Sequence, residues 1–185
     1  MSKAIRRLET AIEKIEAIEQ ICSIKGVTKA LEDESILKPA IMKHFDVIHQ
    51  QFKKLERDQE YKVLSKFDKV ELRGVRDMRN ISSHDYDNIQ NEIVEETIRK
   101  DLPKLKESIQ EVLKETKKEL CKNLEKNIDY FTKKQDVLMP QAKTDLIKNI
   151  KKEYEKLQEY KIELDKPYSD KIKNIIKENS KENQR

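Results

Sequence analysis

The residues with the clearest capacity for chemistry lie in the stretch RDMRNISSHDY, residues 76–86. Arg79 and His84 are separated by four residues, Asn80 directly follows the arginine, and Tyr86 ends the stretch. Arginine is permanently charged and grips phosphate through a planar fork of N–H donors, whereas histidine exchanges a proton near neutral pH. RNA brings its own nucleophile, the 2′-OH. Arg79 could then stabilise the charged transition state while His84 moves protons.

The geometry of a helix limits how this pair could act. At 3.6 residues per turn, Arg79 and His84 diverge by roughly 140° on an unbroken helix. Arg76, Asn80 and His84 instead share one ridge. The pair converges on one ligand if the helix loosens at Ser82–Ser83, or if a second copy of the chain supplies half of the site. An arginine and a histidine at this spacing also occur by chance, so a solvated helix end is the alternative.

The surroundings of the stretch bear on metals and on RNA binding. No acidic cluster near it resembles a two-metal site, so neither a metal nor another cofactor is expected. Arg73 and Arg76 would steer RNA phosphates toward the site, although ordinary surface charge explains them equally well. Gly74 would allow close packing one turn earlier.

The remaining histidines and cysteines have simpler interpretations. His49 neighbours an apolar stripe and is expected to be packed, whereas His44 is expected to be exposed. Cys22 continues an apolar stripe and is expected in the core. Cys121 is interpreted as a tolerated thiol, because nothing near it in the sequence would lower its pKa.

Apolar residues at three- and four-residue steps predict the helices that position the stretch. The stripes are Ile5, Leu8, Ile12, Ile15, Ile18 and Cys22; Leu37, Ile41, Phe45, Ile48, Phe52 and Leu55; and Leu102, Leu105, Ile109 and Val112. Gly26 is expected to end the first helix, and Asp33 or Ser35 to cap the second, with Pro39 close to its start. The third helix, VELRGVRDMRN, carries the candidate site.

Local capping signals define the starts of the third and fourth helices. Asp68 and Glu71 have capping-box spacing before the third helix. Asp101 is expected to cap the fourth helix, with Pro103 in its first turn.

The composition predicts an all-α fold. Of 185 residues, 41% are charged, while only 2 are glycine and 4 are proline. Four helices with short connections predict an antiparallel four-helix up-and-down bundle over residues 1–118. Residues 119–185 are expected to form a C-terminal helical extension, in which Pro140 breaks the fourth helix or starts another. Pro167 is expected to end the helix after that, and the last residues, KENSKENQR, to fray.

Charge, cysteine spacing and targeting features bear on which classes of protein the chain could belong to. The net charge of +4 comes from 40 basic and 36 acidic residues that are mostly interspersed, so it does not by itself argue for nucleic acid. Cys22 and Cys121 are far apart and predict neither a metal knot nor a disulfide framework. No apolar run reaches membrane-spanning length, and the charged N-terminus does not resemble a signal peptide. The expected location is therefore the cytoplasm, with no membrane partner.

The stretch around the candidate site resembles the HepT-like members of the HEPN superfamily. RNISSH fits their R-N-x-x-x-H form, and with Tyr86 the motif becomes R-x4-H-x-Y. LKPAIMKHFDVIHQQFKKL resembles the second helix of that family, and RKDLPKLKESIQEVL its closing helix. The similarity covers about residues 1 to 118.

The resemblance implies a function and a set of partners. Arg79 and His84 would be the catalytic pair of a metal-independent endoribonuclease, with Asn80 as a supporting residue. A homodimer would bring two motifs together across one cleft. The chain would be the toxin of a type VII-like HEPN/MNT toxin–antitoxin system. Its nucleotidyltransferase antitoxin would neutralise it by transferring AMP to Tyr86.

Two departures and two alternatives accompany the resemblance. The family often has an I-G-E-A-like stretch where this chain reads DVIHQQFKKL, which leaves the dimer packing open. The extension lies outside the family pattern and is interpreted as a helical hairpin packed on the bundle or on a dimer partner. More specific interpretations are that the extension docks an antitoxin or holds RNA. A non-catalytic HEPN module that binds a nucleotidyltransferase or a nucleotide, or a helical adaptor with a coincidental motif, would explain the same sequence.

Overall fold

The computed structural model describes residues 2–83 and 90–182, and within them the side chains of residues 3–77 and 90–177. All regular elements in this part of the chain are helical, so the all-α prediction is confirmed. The helices are α1 (Ser2–Lys25), α2 (Val27–Glu32), α3 (Leu37–Arg57), α4 (Tyr61–Leu64), α5 (Lys69–Ser83), α6 (Asn91–Glu96), α7 (Leu102–Lys134), α8 (Pro140–Glu159) and α9 (Lys166–Glu182), with a π turn (Thr97–Asp101) joining α6 to α7. The antiparallel up-and-down arrangement stays a prediction.

The chain divides into two compact units, Met1–Lys114 and Glu115–Arg185. The first unit contains the helices that were predicted from the apolar stripes, and α3 packs against both α1 and α5. Its buried core includes Ile5, Leu8, Ile15, Ile41, Phe45, Ile48, Leu55, Val75, Leu102 and Ile109. Phe52 meets Phe67 edge to face, with ring centroids 5.2 Å apart. The central position of α3 makes it the main support of α5.

Two helix boundaries follow the sequence closely. Gly26 interrupts the helix at its predicted place with a φ of 84°, a left-handed value that suits glycine. Pro39 is the third residue of α3, where a missing N–H costs nothing. The prediction that Asp33 or Ser35 caps the next helix is wrong, because the residue before α3 is Ile36 and no side chain caps the helix. Asp33 Oδ1 instead accepts the N–H of Ile36 itself, at 3.0 Å.

The prediction that Asp101 caps a new helix is wrong. The helical run already begins at Asn91 and continues through the π turn into α7, so Asp101 lies inside it. In the π turn the Leu102 N–H donates to the Thr97 carbonyl, five residues back. A π turn widens the helix locally, so Pro103, which lacks an N–H and would crowd the carbonyl four residues earlier, is accommodated inside a continuous helix.

The second unit, considered alone, is built from the last part of α7 with α8 and α9. Its core contains Leu124, Ile128, Phe131, Ile147, Ile150, Leu157, Ile172 and Ile175. Pro140 starts α8, one of its two predicted outcomes. One prediction fails here, because Pro167 does not end a helix but lies in the first turn of α9, where proline is favoured. The structure describes α9 as far as Glu182, and the fraying of the last residues stays a prediction.

No described helix is both long enough and apolar enough to cross a lipid bilayer.

Candidate functional site

The helix that carries the candidate site, α5, begins with the predicted capping box. The Asp68 N–H donates to Glu71 Oε2 at 3.0 Å, and Asp68 Oδ1 accepts the Val70 N–H at 2.8 Å. Two of the otherwise unpaired groups at the start of the helix are thereby satisfied. The other oxygen of Glu71 accepts a hydrogen bond from the Ser108 hydroxyl on α7. The first turn of α5 is therefore fixed both locally and to α7.

A buried histidine fixes the middle of α5 to α3. His49 Nδ1 lies 3.2 Å from the Val75 carbonyl oxygen. Since a carbonyl only accepts, Nδ1 carries the hydrogen and donates it. In an α-helix the carbonyl of residue 75 also accepts the amide N–H of residue 79. The turn that ends at Arg79 is thus anchored to α3, and the prediction that His49 is packed is confirmed.

The two arginines that were predicted to steer RNA already have acidic neighbours. Arg76 donates to Glu56 Oε1 on α3 at 2.9 Å, although its side chain remains 64% exposed. Arg73 Nε is 3.9 Å from Asp77 Oδ2, a loose contact at the surface. Both guanidinium groups are accessible to a ligand, but the carboxylates offset part of their charge. Among the described residues, no atom lies within 4 Å of the place where a Cβ of Gly74 would be, so the glycine serves no close helix approach within this part of the chain.

The predicted site residues divide between described and undescribed positions. Arg79 and Asn80 lie on α5 as backbone positions. His84 and Tyr86 lie outside the described residues. Helical backbone continues through Ser83, so loosening at Ser82–Ser83 is not seen. Whether Arg79 and His84 meet therefore stays a prediction, and the alternative in which a second copy completes the site remains.

The other titratable candidates behave as structural groups. His44 is half-buried rather than exposed, because α3 turns it partly toward its neighbours; burial lowers its pKa, and the nearby Lys14 lowers the pKa further. Cys22 is buried as predicted, and burial raises the pKa of its thiol. Burial likewise raises the pKa of Cys121, assisted by Glu125 and Asp165. Neither thiol is activated as a nucleophile.

Within residues 2–83 and 90–182, no three His, Cys, Asp or Glu side chains come together in a way that could hold a metal ion.

A basic cavity on α3 was not anticipated from the sequence. It has a volume of about 410 Å³, and its lining includes Gln50, Lys53, Lys54, Glu56 and Arg57. Glu56 also pairs with Arg76 on α5, so the cavity lies next to the turn of α5 that comes before Arg79. The signal in the sequence was the spacing of Gln50, Lys53, Lys54 and Arg57, which places them along one helical face.

Comparison with known proteins gives one match. The family model described as Ribonuclease HepT-like matches residues 5–112, which is more than half of the chain. No curated protein and no solved structure gives a significant match.

Proposed function

Because the chain belongs to the ribonuclease HepT-like family, we propose that it is a metal-independent endoribonuclease whose catalytic pair is Arg79 and His84. The observation that carries this proposal is the R-x4-H-x-Y motif inside the matched residues 5–112. A phosphate-binding cation and a proton carrier are the two groups that cleavage through an RNA 2′-OH requires.

The proposed reaction forms one bond to phosphorus and breaks another. The 2′-oxygen attacks the adjacent phosphate, and the bond from phosphorus to the 5′-oxygen of the next nucleotide breaks. The products are a 2′,3′-cyclic phosphate and a 5′-OH. His84 acts as acid or base, so that the proton lost by the 2′-OH is balanced by the proton gained by the leaving oxygen. Arg79 stabilises the charge that develops on the non-bridging oxygens, and Asn80 helps to orient the pair.

The proposal includes a homodimer in which each protomer supplies one residue of the catalytic pair. Helical backbone continues through Ser83. On an unbroken helix, residues five apart such as Arg79 and His84 would point roughly 140° away from each other. Two antiparallel copies of the motif across a cleft would supply an arginine from one protomer and a histidine from its partner to the same phosphate. The anchoring of α5 by His49 and Glu71 supports this arrangement, because a shared site needs a rigid frame.

The proposed biological role is that of a toxin held in check by a nucleotidyltransferase antitoxin. Tyr86 lies two residues after His84, so AMP attached to its hydroxyl would add bulk and negative charge beside the catalytic pair. Such a group would repel the phosphates of RNA. A neighbouring gene that encodes a small nucleotidyltransferase with GS and DxD motifs would support the pairing.

The reaction is tested by analysing the ends of the RNA products. Purified protein that carries no AMP, as checked by intact mass, is incubated with mixed single-stranded RNA in EDTA. The expected products have 2′,3′-cyclic phosphate and 5′-OH ends. Cleavage that requires an added divalent cation, or products with 5′-phosphate ends, would contradict the mechanism. Intact RNA would favour the non-catalytic module.

The AMP acceptor is tested separately with Tyr86→Phe. Wild-type protein treated with the antitoxin and ATP is expected to gain one adenylyl group and to lose nuclease activity. The Tyr86→Phe protein should gain none and should stay active under the same treatment. Modification of both proteins would place the acceptor at another residue.

A further inference from the structure

One face of α3 concentrates positive charge around a cavity. Lys53, Lys54 and Arg57 lie three, four and seven residues after Gln50, so the four share one helical face, and all line the cavity of about 410 Å³. Three of these four side chains are cationic. A cavity of this size is in the range of sites for small ligands, which is about 300–1,000 Å³.

Two acidic side chains near this face, Glu56 and Asp58, already have basic partners. Glu56 lines the cavity but accepts a hydrogen bond from Arg76 at 2.9 Å. Asp58 is paired with Arg7 and lies only loosely near Arg57, 3.7 Å from its Nε. Within the part of the chain that the structure describes, no ion pair involves Lys53 or Lys54. Among the described residues that line the cavity, three cationic side chains therefore face a single carboxylate.

We propose that this α3 cavity, lined by Lys53, Lys54 and Arg57, binds a backbone phosphate of the RNA strand next to the scissile phosphate. The inference rests on the proposed function for the identity of the strand. Glu56, which lines the cavity, pairs with Arg76, and Arg76 lies three residues before Arg79 on α5. A strand bound at Arg79 would therefore have a neighbouring phosphate close to the cavity. A concave site suits one phosphate and its sugar better than it suits the flat acidic surface of a protein. Contacts of this kind position a strand without reading its sequence.

The test compares two variants with the same change in charge. The cavity variant carries Lys53→Gln, Lys54→Gln and Arg57→Gln. The control variant carries Lys29→Gln, Lys104→Gln and Lys114→Gln, three exposed lysines that do not line the cavity. Binding is measured by fluorescence anisotropy with a fully 2′-O-methylated single-stranded RNA, which lacks the nucleophile and stays intact. Thermal melts confirm that both variants fold.

The cavity variant is expected to bind this RNA about tenfold more weakly near physiological salt. The slope of log K against log salt should also fall by about 0.7, since one phosphate contact on a single strand contributes roughly that much. The control variant should keep both the affinity and the slope of the wild type to within about twofold. Equal losses in the two variants would overturn the inference in favour of a general charge effect. Unchanged RNA binding by the cavity variant would also overturn it, and an acidic protein surface would then become the ligand to examine.

These outcomes are separable from the proposed nuclease activity. A wild type that cleaves RNA while the cavity variant binds it normally would refute the cavity and leave the nuclease intact. A wild type that binds but does not cleave RNA, with selective loss of binding in the cavity variant, would refute the nuclease and support the cavity. A wild type that neither binds nor cleaves RNA would refute both.

Discussion

At the scale of single residues, His49 is the side chain that connects the candidate site to the core. Its Nδ1–H donates to the Val75 carbonyl, which also receives the helical N–H of Arg79. A buried hydrogen bond of this kind typically contributes about 1 kcal/mol to the free energy of unfolding. His49 thus fixes the turn that carries Arg79 to α3.

Replacing His49 tests this connection. His49→Leu removes the donor and is expected to lower the free energy of unfolding by about 1–2 kcal/mol. His49→Asn keeps an N–H near the position of Nδ1 and is expected to lose less, despite its smaller volume. The measurement is urea unfolding of the two variants beside the wild type. Equal losses, or a larger loss in His49→Asn, would show that packing rather than the hydrogen bond holds the position.

His44 gives a prediction about pH. Burial, together with Lys14, lowers its pKa in the folded protein, so the unfolded chain binds more protons as the pH falls below about 6.5. Stability contributed by neutral His44 is therefore lost as the pH drops through the unfolded pKa, and the loss levels off below the folded pKa. His44→Gln should flatten this part of the curve of unfolding free energy against pH. An identical curve for wild type and variant would refute the assignment.

At the scale of elements, the capping box at the start of α5 was predictable because both partners lie within four residues. Asp68→Ala removes the side-chain acceptor of the Val70 N–H and is expected to cost about 0.5–2 kcal/mol of unfolding free energy. Lys69→Ala, at the next and exposed position, serves as the control and should change stability by less than about 0.5 kcal/mol. Denaturant titration measures both. Similar values for the two variants would mean that the cap contributes little.

Other elements were misjudged because their causes are not local. The sequence around Asp101 and Pro103 has the residues of a helix start, yet a π turn carries the helix through them. Pro167 was expected to end a helix, yet it lies in the first turn of α9. The apolar residues of α9 are buried in the core of the second unit. The helical run before Asp101 buries Val94 and Ile98, and the helix after Pro167 buries Ile172 and Ile175. Burial of this kind depends on tertiary packing, which a local pattern cannot report.

The candidate site likewise has features that the local sequence predicts and features that depend on tertiary packing. The motif from Arg79 to Tyr86 is readable from residue types and spacing alone. The Glu56–Arg76 pair joins residues 20 apart, and His49 reaches Val75 across 26 residues. The basic cavity also depends on how α3 is placed. These contacts required the packing of α3 against α5, which no single helix pattern specifies.

At the scale of the whole molecule, the proposed site requires two copies of the chain. Light scattering coupled to size exclusion is therefore expected to give twice the chain mass of 22.0 kDa at micromolar concentration.

Mixing two inactive variants tests the shared site. Arg79→Ala and His84→Ala should each be inactive alone and should regain part of the activity after mixing, since a mixed dimer restores one intact site. A monomeric wild type that cleaves RNA would contradict the shared cleft.

The central claim is that the pair Arg79 and His84 carries RNA cleavage, and His84 is its most direct test. Wild type, His84→Ala and the matched histidine control His44→Ala are incubated with mixed RNA in EDTA, after intact mass has excluded AMP on Tyr86. Wild type and His44→Ala are expected to cleave at similar rates, and His84→Ala to lose activity by about 10²–10⁴-fold. Full activity in His84→Ala would contradict the account.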